Sequence, residues 1–352
     1  MWKISYQTTR FVSRHRGALP VVLACPHDGS KAPPHVPERS GSALPASCDF
    51  TKTRDLNTRA ITTGVAQRLL DLCGESPYVV IAEFDRKRID ANRAPACAYE
   101  VEAAQPFFHE YHQTLRGFVD GVRAESGGPG LLFDIHGTAG IASDPADLYL
   151  GTEEGDSIAR LLEIDPHAMS RRRSLSGLLT AAGYAVKLNA APLGGGYTIV
   201  TYGTSHVDGI DAIQVEIAAP IRKSAQRRAA LIEHLAYAIR TLVDRYASVT
   251  TLAAVQSLDM LDAGAVQHPI GQFQRRAGST DARIRLGGAH GHRGRLELRH
   301  DPTTPRRAGV LVLYDETGKD HFLWVDNHGV LRISPSDPGS SIGAGKIVGE
   351  PP

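Results

Sequence analysis

Short β-branched runs alternate with longer stretches of helical apolar spacing through the first 250 residues, and this alternation limits the fold more than any other feature. Residues 21–25, 78–84, 131–135, 147–151, 185–188 and 212–217 read as strands. Between them, residues 58–72, 106–124, 170–182 and 225–246 repeat apolar residues at three- and four-residue intervals and read as helices. Strand–helix alternation of this kind packs helices on a sheet that is largely parallel. The expected fold is therefore α/β, a mixed, mostly parallel sheet flanked by helices. Beyond residue 250 the texture changes to short β-like runs at 282–286, 296–298, 310–314, 321–325 and 330–333, parted by turn residues. Two domains are expected, 1–250 and a small β-rich appendage over 251–352, with a loose tail from Ser334.

Charge excludes some partners. Lys and Arg number 39 against 38 Asp and Glu, a net charge of +1, so no general field draws the chain to nucleic acid or an anionic membrane. No apolar run is long enough to cross a bilayer, and the N-terminus lacks the apolar core of an export signal. The four cysteines, Cys25, Cys48, Cys73 and Cys97, form no CxxC pair and no dense framework, which predicts reduced thiols and a cytoplasmic setting. A small-molecule substrate fits this profile, and nothing in the sequence fixes an oligomeric state.

Four segments carry residues suited to chemistry. The first expected strand runs into Pro26-His27-Asp28-Gly29, which places His27 just past the carboxyl end of a strand, where open α/β sheets put ligand groups. In Leu131 to Gly137 an apolar strand ends in Asp134-Ile135-His136. Period two puts Asp134 and His136 on one face, where a metal, or a carboxylate orienting an imidazole, would satisfy them. In Gln214-Val215-Glu216, Glu216 faces away from the apolar side and suits a general base. Arg86 to Arg93 packs four cations and an amide behind an apolar strand. One Arg near a metal and an Asn–Arg pair further out would make a substrate clamp. His109-Glu110-Tyr111-His112 has its histidines at i and i+3 rather than the zincin i and i+4, so it reads as a helix surface with His112 packed beneath the site.

In this order the motifs resemble the N-formylglutamate amidohydrolase family, whose fold is like that of the zinc carboxypeptidases (phosphorylase/hydrolase-like). The pieces are Pro26-His27-Asp28-Gly29, Asp55-Leu56-Asn57-Thr58, Arg86 to Arg93, Asp134-Ile135-His136, Gly195-Gly196-Tyr197-Thr198 with Tyr202-Gly203, and Gln214-Val215-Glu216. The resemblance implies one zinc ion per chain on His27, Asp55 and His136. Asp49 competes for the acidic position and Asp28 is a third option, because the carboxypeptidase HxxE acid is replaced by Ser30. It also implies Glu216 as base, Arg86 at the oxyanion, and Asn92, Arg93, Gly196 and Tyr197 around the substrate. Where many relatives have Ser after the DxH histidine, this chain has Gly137. The implied activity is zinc-dependent hydrolysis of an N-acyl, N-formyl-like acidic amino acid. The alternatives are a carboxypeptidase-like or γ-glutamyl peptide hydrolase, and an inactive carboxylate- or peptide-binding module.

Overall fold

Eight strands form one sheet because their inner residues are apolar on both faces and must be covered twice. The computed structural model describes residues 3–126, 130–247, 311–314, 320–325, 331–334 and 346–347. The strands are β1 (Gln7–Thr8), β2 (Val12–His15), β3 (Val21–Cys25), β4 (Tyr78–Ala82), β5 (Leu131–Thr138), β6 (Leu148–Gly151), β7 (Val186–Leu188) and β8 (Asp211–Ala218), in the order β1-β2-β4-β3-β5-β8-β6-β7. β3 pairs in parallel with β4 and β5, β5 with β8, and β6 with β7, while β1–β2, β2–β4 and β6–β8 are antiparallel. The helices are α1 (Thr58–Cys73), α2 (Pro95–Ala98), α3 (Gln105–Ser126), α4 (Ala159–Ile164), α5 (Leu175–Ala181), α6 (Tyr197–Tyr202), α7 (Ala219–Lys223) and α8 (Ala225–Leu242). The α/β expectation is met.

One face of the sheet, through Leu23, Phe133, Ile135, Ile213 and Val215, packs on Ile61, Val65 and Leu69 of α1 and on Leu231, Leu235 and Ile239 of α8. The four-residue spacing within each helix is what turns those side chains to one side. On the other face Val22, Ala24, Leu132 and Ala212 meet Phe108, Tyr111, Leu115, Val119 and Val122 of α3. All of these are buried, and each large apolar side chain contributes about 1.5–3 kcal/mol.

The expected elements are shifted in places. The helix read over 170–182 begins only at Leu175, because Ser174 caps it, its hydroxyl accepting from the Gly177 amide at 3.0 Å. The antiparallel edge β1–β2 and the short α4, α6 and α7 carry too few periods to stand out in the sequence. The cysteine expectation fails for one pair: Cys48 and Cys97, 49 residues apart, form a disulfide, while Cys25 and Cys73 are not disulfide-bonded. No spacing rule signals such a bridge, because the fold alone brings the Cys48 loop to α2.

The chain divides into two compact units, Met1–Phe273 and Gln274–Pro352. In the second, β9 (Leu311–Tyr314), β10 (Asp320–Val325), β11 (Leu331–Ser334) and β12 (Lys346–Ile347) form an antiparallel sheet in the order β12-β11-β10-β9. The tail expected to be loose thus supplies β12. The runs expected at 282–286 and 296–298, and the expected boundary at 250/251, lie outside the described residues. Among those residues no helix is long and apolar enough to cross a membrane.

Candidate active site

β5 and β8 run in parallel register with Asp134 opposite Gln214 and His136 opposite Glu216. Register partners share a face, so four polar side chains line the carboxyl end of the face whose other end, Leu132 and Ala212, is apolar core. Asp134 Oδ2 lies 2.8 Å from His136 Nε2. A carboxylate can only accept, so Nε2 carries the proton and Nδ1 is left as the lone-pair nitrogen. That Nδ1 lies 3.3 Å from Asp55 Oδ2. Glu216 is buried and accepts one bond, from Gln214 Nε2 at 3.2 Å.

His27 arrives differently, on the loop that leaves β3. Its Nε2 donates to Asp90 Oδ1 at 2.6 Å, and its Nδ1, 3.4 Å from Asp55 Oδ2, is buried without a hydrogen-bond partner. The two imidazoles thus repeat one arrangement: Nε2 locked by a carboxylate, Nδ1 turned to Asp55, ring centroids 4.8 Å apart. Asp55 is fixed by its neighbours. Its amide donates to His27 O, the Thr58 hydroxyl donates to Asp55 O at 2.8 Å, and Asn57 takes the left-handed φ of 71° that Asn tolerates. The Gly137 amide donates to Asp55 Oδ2 at 3.0 Å. These contacts are the local physics behind the Asp55-Leu56-Asn57-Thr58 motif.

Ligand atoms of His27, Asp55 and His136 all lie within 4.8 Å of one another, so the described residues contain one group suited to a metal. The orphaned, buried Nδ1 of His27 and the His–His–carboxylate donor set both fit zinc. Electrostatics agrees. Burial works against the charge on Asp55, yet the adjacent His136 and His27 imidazoles outweigh it and hold the carboxyl well below its usual range. Burial likewise opposes charge on His136, but the Asp134 charge and hydrogen bond raise it well above an ordinary histidine. A field negative enough to hold a proton there also attracts a divalent cation. Burial pushes the Glu216 carboxyl up, with the nearby His136 acting the other way.

The other expected residues divide. Arg86 is buried, with Nε on Asp90 Oδ2 at 3.0 Å and Nη1 on Thr53 O at 3.2 Å and Asp55 Oδ1 at 3.5 Å, which leaves Nη2 without a hydrogen bond among the described residues. Asn92 does not reach outward with Arg93. Its Oδ1 accepts the Thr198 amide at 2.8 Å and its Nδ2 donates to Gln214 Oε1 at 3.3 Å, so it ties α6 to β8 beneath the site. Arg93 lies at the rim and is engaged by Asp49, the competing acid, which is therefore not grouped with the two histidines. Gly196 packs on the Asn92–Gln214 pair, where any Cβ would collide, and the half-buried Tyr197 opens α6 beside His112, ring centroids 5.5 Å apart. Gly137 is explained by Arg222, whose guanidinium fills the place of a side chain there and donates to Ile217 O, Leu56 O and Thr138 O. Asp28 is turned to Arg54 and the Arg59 amide.

The motifs assign no individual role to Asp90 or Arg39. Asp90 orients His27 and also accepts the Asn92 amide at 3.0 Å. The buried Arg39 donates to Arg86 O at 2.7 Å and Thr51 O at 2.8 Å, joining two loops. His112, expected beneath the site, is buried there and bridges Tyr202 Oη and Ala91 O at 2.9 and 3.0 Å, whereas His109 is exposed. The Asp90 signal lay inside the arginine-rich loop; Arg39 left none.

The resemblance drawn from the motifs is borne out by the family model described as N-formylglutamate amidohydrolase, which matches residues 98–221. That span holds His136, Gly196, Tyr197 and Glu216 and carries an amidohydrolase-type function. No curated protein matches the sequence. Among solved structures, N-formylglutamate amidohydrolase from Ralstonia eutropha JMP134 is 18% identical, covering 64% of this chain and 94% of its own, with a TM-score of 0.44. A gene product of Agrobacterium tumefaciens is 14% identical over 66% and 94%, TM-score 0.48. A bacteriophage poly-gamma-glutamate hydrolase is 12% identical over 73% and 93%, TM-score 0.34.

Proposed function

We propose, for a chain whose residues 98–221 match the N-formylglutamate amidohydrolase model, that it hydrolyses the amide bond of an N-acyl, N-formyl-like acidic amino acid with one zinc ion. The observation that carries this reading is the paired imidazole geometry: two Nε2 atoms held by Asp90 and Asp134, and two Nδ1 atoms facing Asp55, one of them orphaned. Zinc on His27, Asp55 and His136 would supply a Lewis acid for the scissile carbonyl and make water acidic enough to attack near neutral pH.

The remaining steps belong to the chain's own side chains. Glu216, in register beside His136, takes the proton of the attacking water and returns it to the leaving amine. Burial raises its pKa and so suits it to both transfers. Arg86 offers Nη2 to the carbonyl oxygen as that atom gains charge, and loss of such a donor typically costs about 3 kcal/mol. Its Asp90 bond keeps the guanidinium from swinging away. Arg93 takes the substrate carboxylate at the rim, Tyr197 and Gly196 line the wall below it, and Asn92 holds that wall in position. The Cys48–Cys97 bridge supports an oxidising compartment rather than the cytoplasmic one expected from cysteine spacing.

The test is metal content of protein purified without chelator, together with amine release from N-acyl glutamates, N-acyl aspartates and short peptides. The expected result is about one zinc per chain, in line with a three-ligand catalytic site, lost in His136→Ala, with turnover of N-acyl acidic amino acids that Glu216→Gln abolishes. Turnover of peptides alone would move the reading to a carboxypeptidase-like enzyme. Zinc without any turnover would move it to a binding module.

A further inference from the structure

The guanidinium expected to hold the substrate is already holding something. Arg93 Nε donates to Asp49 O at 3.0 Å, Nη2 is paired with Asp49 Oδ2, and Nη1 donates to Asn92 O at 2.8 Å. The side-on fork formed by Nε and Nη2, which matches a carboxylate in two-point recognition, is therefore filled by Asp49. The Asp49 side chain is 80% exposed and that of Arg93 21%, so the pair sits at the surface rather than in the core, next along the chain to the buried Asn92.

A free surface pair of this kind is weak, because two mobile side chains must be ordered to form it. Asp49 is not mobile in that sense. On one side its neighbour Cys48 is bonded to Cys97, in the short helix that follows Arg93. On the other, Thr51 O accepts a hydrogen bond from the buried Arg39, which also donates to Arg86 O and, at 3.5 Å, to Cys97 O. The backbone of Asp49 is pinned on both flanks to the same loop that carries Arg93, so much of the ordering is done before the pair forms.

Resting on the proposal that Arg93 receives the substrate carboxylate, we infer that Asp49, held by the Cys48–Cys97 bridge, is a built-in competitor for that carboxylate and so a specificity-determining residue. A ligand carboxylate enters the fork only by displacing Asp49. A neutral carboxamide at the same position gains little from displacing it, so the competitor lowers affinity mainly for anionic ligands.

The experiment uses zinc-loaded full-length protein carrying Glu216→Gln, so that bound ligand is not hydrolysed, and calorimetry with N-formylglutamate and with its diamide. The readout is the ratio of the two affinities. Asp49→Asn should raise the preference for the acid about two- to fivefold, the scale of an exposed pair. The exposed position of Asp49 makes misfolding no concern. Cys48→Ser with Cys97→Ser should raise it in the same direction by less, and Arg93→Met should abolish it. A preference unchanged by Asp49→Asn but abolished by Arg93→Met overturns the competitor and leaves the clamp standing. A preference that survives Arg93→Met, or no binding of either ligand, removes the clamp and the competitor together. An effect of Asp49→Asn without any effect of the double serine variant removes the role given to the bridge.

Discussion

The two histidines of the site reach the same chemistry by different construction. His136 and its orienting Asp134 are two residues apart on one central strand, with Glu216 in register beside them on the next. Backbone pairing sets their mutual positions. His27 and Asp90 are separated by 63 residues and sit on loops. The position of Asp90 depends on Arg86, which binds its carboxylate, on Arg39, which holds Arg86 O, and on His112, which holds Ala91 O. A strand-borne half needs little beyond the ladder, whereas a loop-borne half needs a buried charged network, and the two should fail differently.

The largest effect is expected from the strand half. Glu216→Gln should lower kcat by about 10²–10⁴, the range for loss of a positioned base, while zinc content and melting temperature stay near wild type. Loss of metal along with activity would mean that Glu216 helps bind the ion, and the base assignment would have to be withdrawn.

The comparison is sharpest between the two orienting carboxylates. Asp134→Asn and Asp90→Asn should each weaken zinc binding about 10–100-fold, since each disturbs the partner of a ligand imidazole. Only Asp90→Asn should also destabilise the fold strongly, by about 3–5 kcal/mol, because it takes from the buried Arg86 the carboxylate on its Nε, leaving the longer Asp55 contact, and takes from the buried Arg39 its Asp90 partner. Chemical unfolding of the two variants measures the difference. Equal stability loss would mean that the arginine network does not hold the loop half.

The same division explains what the sequence made legible. Period-two alternation was enough to put Asp134 and His136 on one face of residues 131–137 and to turn Glu216 away from the apolar face of residues 212–217, since a strand's geometry is local, whereas the pairing that joins the two faces appears only in the structure. The α/β class followed from the same periodicity. The Asp55 to Thr58 motif was visible as a pattern, although its hydroxyl–carbonyl bond appears only in the structure. Arg39, the Asp49–Arg93 pair and the Cys48–Cys97 bridge join residues 44 or more positions apart, or lie in loops without periodicity, so no spacing announces them. The contacts of Asn92 are hidden for a related reason: its neighbour Arg93 pairs with Asp49, but its own amide turns inward to Thr198 and Gln214.

His112 tests the loop half through pH. Burial, set partly against its hydrogen bond to Ala91 O, lowers its pKa from 6.5 to about 4. The unfolded chain therefore binds this proton more readily than the folded one. Its stabilising effect is complete above about pH 6.5 and is lost as pH falls toward 4. Between pH 7 and pH 5 the wild type should lose about 2 kcal/mol through this group, and His112→Gln should lose that much less. Urea midpoints at the two pH values decide it, and equal slopes for the two proteins would mean that His112 is not held neutral.

The smallest effect is expected where the two halves meet, at Gly137, whose amide binds Asp55 while the Arg222 guanidinium fills the place of its missing side chain. Gly137→Ser must push Arg222 off and should cost about 1–2 kcal/mol as overpacking. Arg222 could yield only by giving up bonds to Leu56 O, Thr138 O and Ile217 O, and Leu56 adjoins Asp55. The loss should therefore be accompanied by weaker zinc retention during chelator challenge. A serine variant as stable as wild type, with unchanged retention, would show that Arg222 moves freely and that the strand half positions Asp55 through the ladder alone.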